Sequence, residues 1–135
     1  MKTIENIRKF LDPFLGWASS QPDVKGIALV GSYARGAARN DSDIDLVILT
    51  DQFPKYVEDL QWIELFGAVE KYQTEDYGNL TSIRVRYRNG TEVEYGITLP
   101  DWAAIPLDSG TEQVIRDGII VLFERGNLLS RHVKK

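Results

Sequence analysis

Asp43 and Asp45 stand two residues apart in an otherwise apolar stretch that runs on through Ile44, Leu46, Val47 and Ile48. In a strand, alternate side chains leave the same face, so the two carboxylates would project side by side. Such a pair repels itself and desolvates poorly unless a cation neutralises it. Magnesium bridging the carboxylates and a triphosphate relieves that conflict. Upstream, the apolar run Ile27, Ala28, Leu29, Val30 ends at Gly31 and Ser32. Glycine lets the backbone approach a ligand closely, and the free amides of a helix starting there attract phosphate oxygens. Arg35 and Arg39 follow on the same segment and could add charge-assisted contacts to phosphate.

The composition narrows the chemistry further. The 135 residues contain no cysteine and one histidine, His132, in a basic tail. Disulfide scaffolds, cysteine nucleophiles, cysteine-ligated zinc and histidine-rich metal sites are therefore excluded. Any metal must be held by oxygen, which selects hard ions such as Mg2+ or Mn2+. The net charge of -4 disfavours a surface that grips extended nucleic acid by its phosphates. The longest apolar run, 118–123, is far too short to span a bilayer, and the N-terminus lacks an apolar signal core. A cytoplasmic protein is expected, with no membrane association.

The elements that must position these residues are legible in outline. Ile4, Ile7, Phe10, Leu11, Phe14 and Leu15 recur at helical spacing, predicting an amphipathic helix over 3–16 that Pro13 kinks or ends. Residues 27–30 read as a buried strand, 32–38 as a short helix, 40–42 as a turn and 43–50 as a second strand. Pro54 opens a helix with Val57, Leu60, Ile63 and Phe66 on its buried face. Ile83, Val85 and Tyr87 alternate with Arg84, Arg86 and Arg88; Asn89 and Gly90 then turn a hairpin into a return strand over 92–97. A helical turn over 101–104, a short helix over 111–117 stopped by Gly118, and a last strand over 119–123 complete the chain. No repeat or linker interrupts it, so 1–135 is expected to form one domain. Trp17, Trp62 and Trp102 read as packing residues, and the arginine stripe as the solvated face of its strand.

The segment Val30-Gly31-Ser32-Tyr33-Ala34-Arg35-Gly36 followed by Ser42-Asp43-Ile44-Asp45-Leu46 resembles the signature of the polymerase-beta-type nucleotidyltransferase superfamily. The likeness is tight over 27–50 and extends over 81–123 only in the order of elements. It implies an α/β (α+β) polymerase-beta-like fold: a mixed sheet of about five strands with helices mainly on one face. It also implies a third carboxylate on a later strand. Glu94, framed by Val93 and Tyr95, fits better than Glu92, which is held in reserve.

The resemblance implies that Asp43, Asp45 and Glu94 are the catalytic residues and the metal ligands. Gly31, Ser32, Arg35 and Ser42 would contact the donor nucleotide, with ATP the expected NTP and pyrophosphate the leaving group. The acceptor would be a hydroxyl on a small molecule, as in aminoglycoside or lincosamide nucleotidyltransferases, with a homodimer partner completing the cleft. An alternative is a minimal nucleotidyltransferase antitoxin that modifies a helical partner protein. A third is a non-catalytic nucleotide-binding module. A further helical domain for the acceptor is not expected within this length.

Overall fold

The computed structural model describes residues 3–39, 42–78, 80–103, 109–126 and 128–132. Six strands form one sheet in the order β3-β4-β5-β2-β1-β6. They span Val24–Val30 (β1), Ile44–Thr50 (β2), Val69–Asp76 (β3), Thr81–Tyr87 (β4), Glu92–Thr98 (β5) and Ile120–Glu124 (β6). Only the β2–β5 pairing is parallel; all other neighbours are antiparallel. The sheet is therefore mixed, with the strands that carry the acids at its centre.

Helices α1 (Arg8–Ser19) and α3 (Phe53–Glu58) and a 3-10 segment, Gln61–Phe66, supply one covering layer. Leu11, Phe14 and Ala18 of α1 are fully buried against Leu46, Ile48, Val93, Tyr95 and Ile97. Trp17 stacks on Trp62 with ring centroids 5.5 Å apart, and Trp62 meets Tyr95 edge-on at 4.8 Å. The polar ends of these aromatics are satisfied. Trp62 Nε1 donates to the Tyr56 carbonyl at 3.0 Å, and the Tyr87 hydroxyl reaches both the Ile63 carbonyl and the Tyr95 hydroxyl at 2.8 Å. The tryptophans are packing residues, as expected.

The opposite face holds a smaller cluster of Ala28, Val47, Leu49, Trp102 and Leu129, with Val114 of α4 (Ser109–Asp117) packed on it. That cluster covers only part of the face. The rest carries Asp45 and Glu94, which are left half-buried.

Several expectations need correction. Of the two outcomes expected at Pro13, an end does not occur: α1 runs through it to Ser19. Pro13 and Asp12 lie on the solvent side, where water can satisfy the carbonyl that loses its partner, while buried Leu11 and Phe14 hold the helix. The helix expected from Pro54 begins at Phe53 and stops at Glu58; Ile63 and Phe66 belong to the separate 3-10 segment, which Leu60 precedes. Helix α2 is shorter than expected, covering Gly31–Arg35. A sixth strand, β3, was not foreseen, because nearly all of its residues are exposed on both faces and show no apolar alternation. Parts of the turns expected over 40–42 and 101–104 lie outside the described residues.

Candidate active site

β1 ends at Val30, and α2 begins at once with Gly31, whose φ of +71° lies in the left-handed region. A Cβ placed on Gly31 would come within 2.9 Å of Asp45 Cγ and closer still to Oδ2. A larger residue there would have to push the Asp45 carboxylate aside. The corner between β1 and α2 thus touches the carboxylate of the neighbouring strand, since Val30 and Asp45 are partners in the β1–β2 ladder.

Asp45 is also the partner of Glu94 across the parallel β2–β5 ladder, with Ile44 opposite Val93. By strand alternation Asp43 and Glu92 occupy the next level on the same face. The acids act on one another in pairs. Burial raises the Asp45 carboxyl, a hydrogen bond to Glu94 and the charges of Glu94 and Asp43 add to this, and the group is pushed up to about 7. Asp43 is raised too, first by burial and then by its hydrogen bond to Glu92. Asp43 itself sits one residue before β2 rather than within it.

Among the described residues, β4 brings positive charge to this cluster. Arg84 Nη2 lies 3.4 Å from Glu94 Oε2, and Arg86 Nη1 lies 2.9 Å from Glu92 Oε1. Arg86 simultaneously holds Glu70 of β3 at 2.8 Å. The Arg84 guanidinium is raised, chiefly by the charge of Glu94. Two residues of the arginine stripe therefore face the acids rather than only solvent. Ser82, which sequence reading passed over, is buried and donates to Glu94 Oε2 at 2.6 Å. Nothing in its local sequence marks it; its role depends on the β4–β5 register, which sets Ser82 opposite Gly96 and Arg84 opposite Glu94.

The donor set suits a hard divalent ion, being all carboxylate oxygen, with burial first and the neighbouring acids second pushing Asp45 up to about 7. As the side chains lie, however, no three such groups among the described residues converge to hold an ion. Asp43 engages Glu92 and Asp45 engages Glu94, each through a shared hydrogen bond. Of the remaining sequence candidates, Ser32 is half-buried on α2 and Arg35 is exposed at its end. Ser42 Oγ accepts from the Arg39 amide at 2.7 Å. A cavity of about 370 Å³ adjoins the acids, lined by Asp45 and Glu94 together with Val47, Leu80, Trp102 and Val114.

A mixed sheet with one helix-covered face and an acid cluster beside a glycine–serine corner defines a polymerase-beta-type nucleotidyltransferase fold. Residues 4–99 match the family model of the nucleotidyltransferase domain; the chain belongs to that family, and nucleotidyl transfer is its class of reaction. Two Methanocaldococcus jannaschii proteins, provisionally named protein adenylyltransferases, are similar to it. One is 39% identical over 71 residues, covering 51% of this chain and 71% of the relative. The other is 36% identical over 70 residues, covering 52% and 78%. Among solved structures, an aminoglycoside 6-adenyltransferase from Bacillus subtilis aligns with a TM-score of 0.58 at 16% identity. The alignment covers 82% of this chain but only 38% of that one. The RNA terminal uridylyl transferase Cid1 aligns at 0.50 and 17% identity over 70% of this chain and 30% of that one. At these identities the structural likenesses concern the fold alone. Among the described residues no helix is long and apolar enough to cross a membrane.

Proposed function

We propose that this chain transfers a nucleoside monophosphate, with ATP as donor, to a hydroxyl group on a protein. The observation that carries this reading is the contact of Gly31 with Asp45, itself in register with Glu94. A triphosphate seated on the Gly31–Ser32 corner would thereby lie against the acid pair. Asp43, Asp45 and Glu94 would hold divalent metal, which on binding supplies charge neutralisation for the attacking and leaving oxygens. Ser32 and Arg35 would contact the triphosphate, and Ser42 would order the loop before Asp43. The cavity beside Asp45 and Glu94 has the size and apolar lining expected for a nucleoside. In the transfer, the acceptor oxygen bonds to the α-phosphorus, the bond to the bridging oxygen breaks, and pyrophosphate leaves. Glu94 would take the hydroxyl proton.

A protein acceptor is preferred because the two archaeal relatives, at 36–39% identity, carry protein adenylyltransferase names. An antibiotic or other small hydroxyl compound is the second reading, supported by the fold shared with the aminoglycoside enzyme. A helical partner protein or a homodimer completing the cleft fits the open acid face, and a cytoplasmic setting fits the donor. The reading treats 1–135 as one catalytic domain.

The test uses each of the four NTPs, labelled at the α-phosphate, with Mg2+ and either a lysate of the source organism or a panel of aminoglycosides. Label transferred from ATP to a protein band, with pyrophosphate released, is the expected result. Transfer only to the small molecules selects the second reading. Nucleotide binding without any transfer, abolished in Asp45→Ala, identifies a non-catalytic module instead.

A further inference from the structure

Glu94 does not stand in the site unsupported. Ser82 Oγ donates to its Oε2 at 2.6 Å, and Arg84 Nη2 approaches the same oxygen at 3.4 Å. The donors come from one strand, β4, but from different positions: Arg84 is directly opposite Glu94, and Ser82 is diagonal, opposite Gly96. Gly96 has no side chain to fill the space between them, and a Cβ there would press on Leu80 at 3.0 Å. Ser82 is 3% exposed, whereas the Arg84 side chain is half exposed, so the serine bond is the better shielded of the two. A buried hydroxyl bonded to an anion in a low-dielectric setting is a strong, directional tether.

From this geometry we propose that Ser82 is a positioning residue. Its hydroxyl, assisted by Arg84, pins Oε2 of Glu94, so that the carboxylate offers its other oxygen, Oε1, to the reaction. A glutamate has one more rotatable bond than an aspartate, and the tether removes the freedom which that bond adds. The same contact removes the choice between the two oxygens. Ser82 touches neither donor nor acceptor; it acts through Glu94 alone. The inference rests on Glu94 belonging to the acid site, as proposed above.

The test compares Ser82→Ala and Ser82→Thr with the unchanged protein and with Asp45→Ala. Mn2+ binding without nucleotide is followed by electron paramagnetic resonance, and kcat and KM for ATP by pyrophosphate release. Loss of an outer partner of a metal-site carboxylate typically weakens ion affinity or turnover by about 10–100-fold. Ser82→Ala should therefore bind Mn2+ at least about tenfold more weakly and lose kcat by a similar factor, while KM for ATP stays within about twofold. Ser82→Thr keeps the hydroxyl and should recover most of both. Wild-type ion binding and kcat in a folded Ser82→Ala overturn the proposal, as does a Ser82→Thr variant as impaired as Ser82→Ala. If Asp45→Ala loses both properties while Ser82→Ala keeps them, this inference alone fails. If the unchanged protein neither binds Mn2+ nor releases pyrophosphate, the acid site itself fails and the tether has no task.

Discussion

Gly31 follows the Val30–Asp45 pairing of the β1–β2 ladder and lies so close to the Asp45 carboxylate that a Cβ on the glycine would displace it. The left-handed backbone at Gly31 and the reach of the Asp45 carboxylate are two halves of one arrangement. Gly31→Ala should cost about 1–2 kcal/mol from the positive φ alone and push the carboxylate aside as well. The variant should still fold, since the core beneath β1 is untouched, but ATP turnover should fall by about 100-fold or more. Differential scanning calorimetry and a pyrophosphate-release assay check the two halves. Full turnover in a folded variant would contradict the assignment of the phosphate corner.

The acid cluster makes stability depend on pH in a stated direction. Asp45 is raised in the fold to about 7, from an unfolded value of about 3.9. A raised group gives stability that is fully present below the unfolded value and is lost as pH rises through the folded one. In EDTA, melting temperature should therefore fall between about pH 4 and pH 7 through this group. Mg2+ replaces the shared proton, so its stabilising effect should be larger at pH 8 than at pH 5. An equal shift at both pH values would contradict the acid pair as the ion's site.

Glu92 and Glu94 differ in what holds them. Arg86 grips one oxygen of Glu92 while also binding Glu70, whereas Ser82 and Arg84 converge on a single oxygen of Glu94. Glu94→Gln should lower kcat by about 100-fold or more, and Glu92→Gln by far less. Steady-state kinetics on the two variants decides the point, and the reverse ranking would move the third acid to Glu92.

Far from the acids, Asp23 joins the other end of β1 to α3. Its Oδ2 accepts from the Tyr56 hydroxyl at 2.6 Å and from Thr50 at 2.9 Å, and its Oδ1 meets Lys55 at 2.9 Å. Burial pushes the Asp23 carboxyl up, but the bonds from Tyr56, Lys55 and Thr50 together outweigh it and hold the group below its ordinary value. Asp23→Ala should destabilise by about 2–3 kcal/mol in urea at pH 7. A lowered group gives stability present above the unfolded value and lost as pH falls, so the gap to the unchanged protein should narrow below about pH 4. Turnover per folded molecule should be unchanged; a loss comparable to that of Asp45→Ala would mean the network reaches the site.

Much of the site was legible because its signals are local. Gly-Ser after an apolar run, and two aspartates alternating with Ile44 and Leu46, need only strand periodicity to be read. The same holds for the 83–97 hairpin, where Gly90 adopts a positive φ and Tyr87 and Thr91 close the turn. β3 escaped because a strand exposed on both faces carries no apolar period. The break after Glu58 escaped because Leu60, Ile63 and Phe66 keep a helix-like spacing even though Ile63 and Phe66 lie in a separate 3-10 segment and Leu60 just before it.

The amino-acid order alone determined which residues could bear charge, which backbone corner could approach a ligand, and that any metal must be oxygen-bound. These are properties of residue types at short range. Only the tertiary structure decided that Asp45 faces Glu94, that Asp43 faces Glu92, and that Ser82 and Arg84 converge on one oxygen. Those contacts depend on the register of β2, β5 and β4, and a shift of one residue in any pairing would turn the acids to the other face. Register is set by the burial of Ile83, Val85, Val93 and Tyr95 beneath α1, a sum over distant partners that no single stretch of sequence contains.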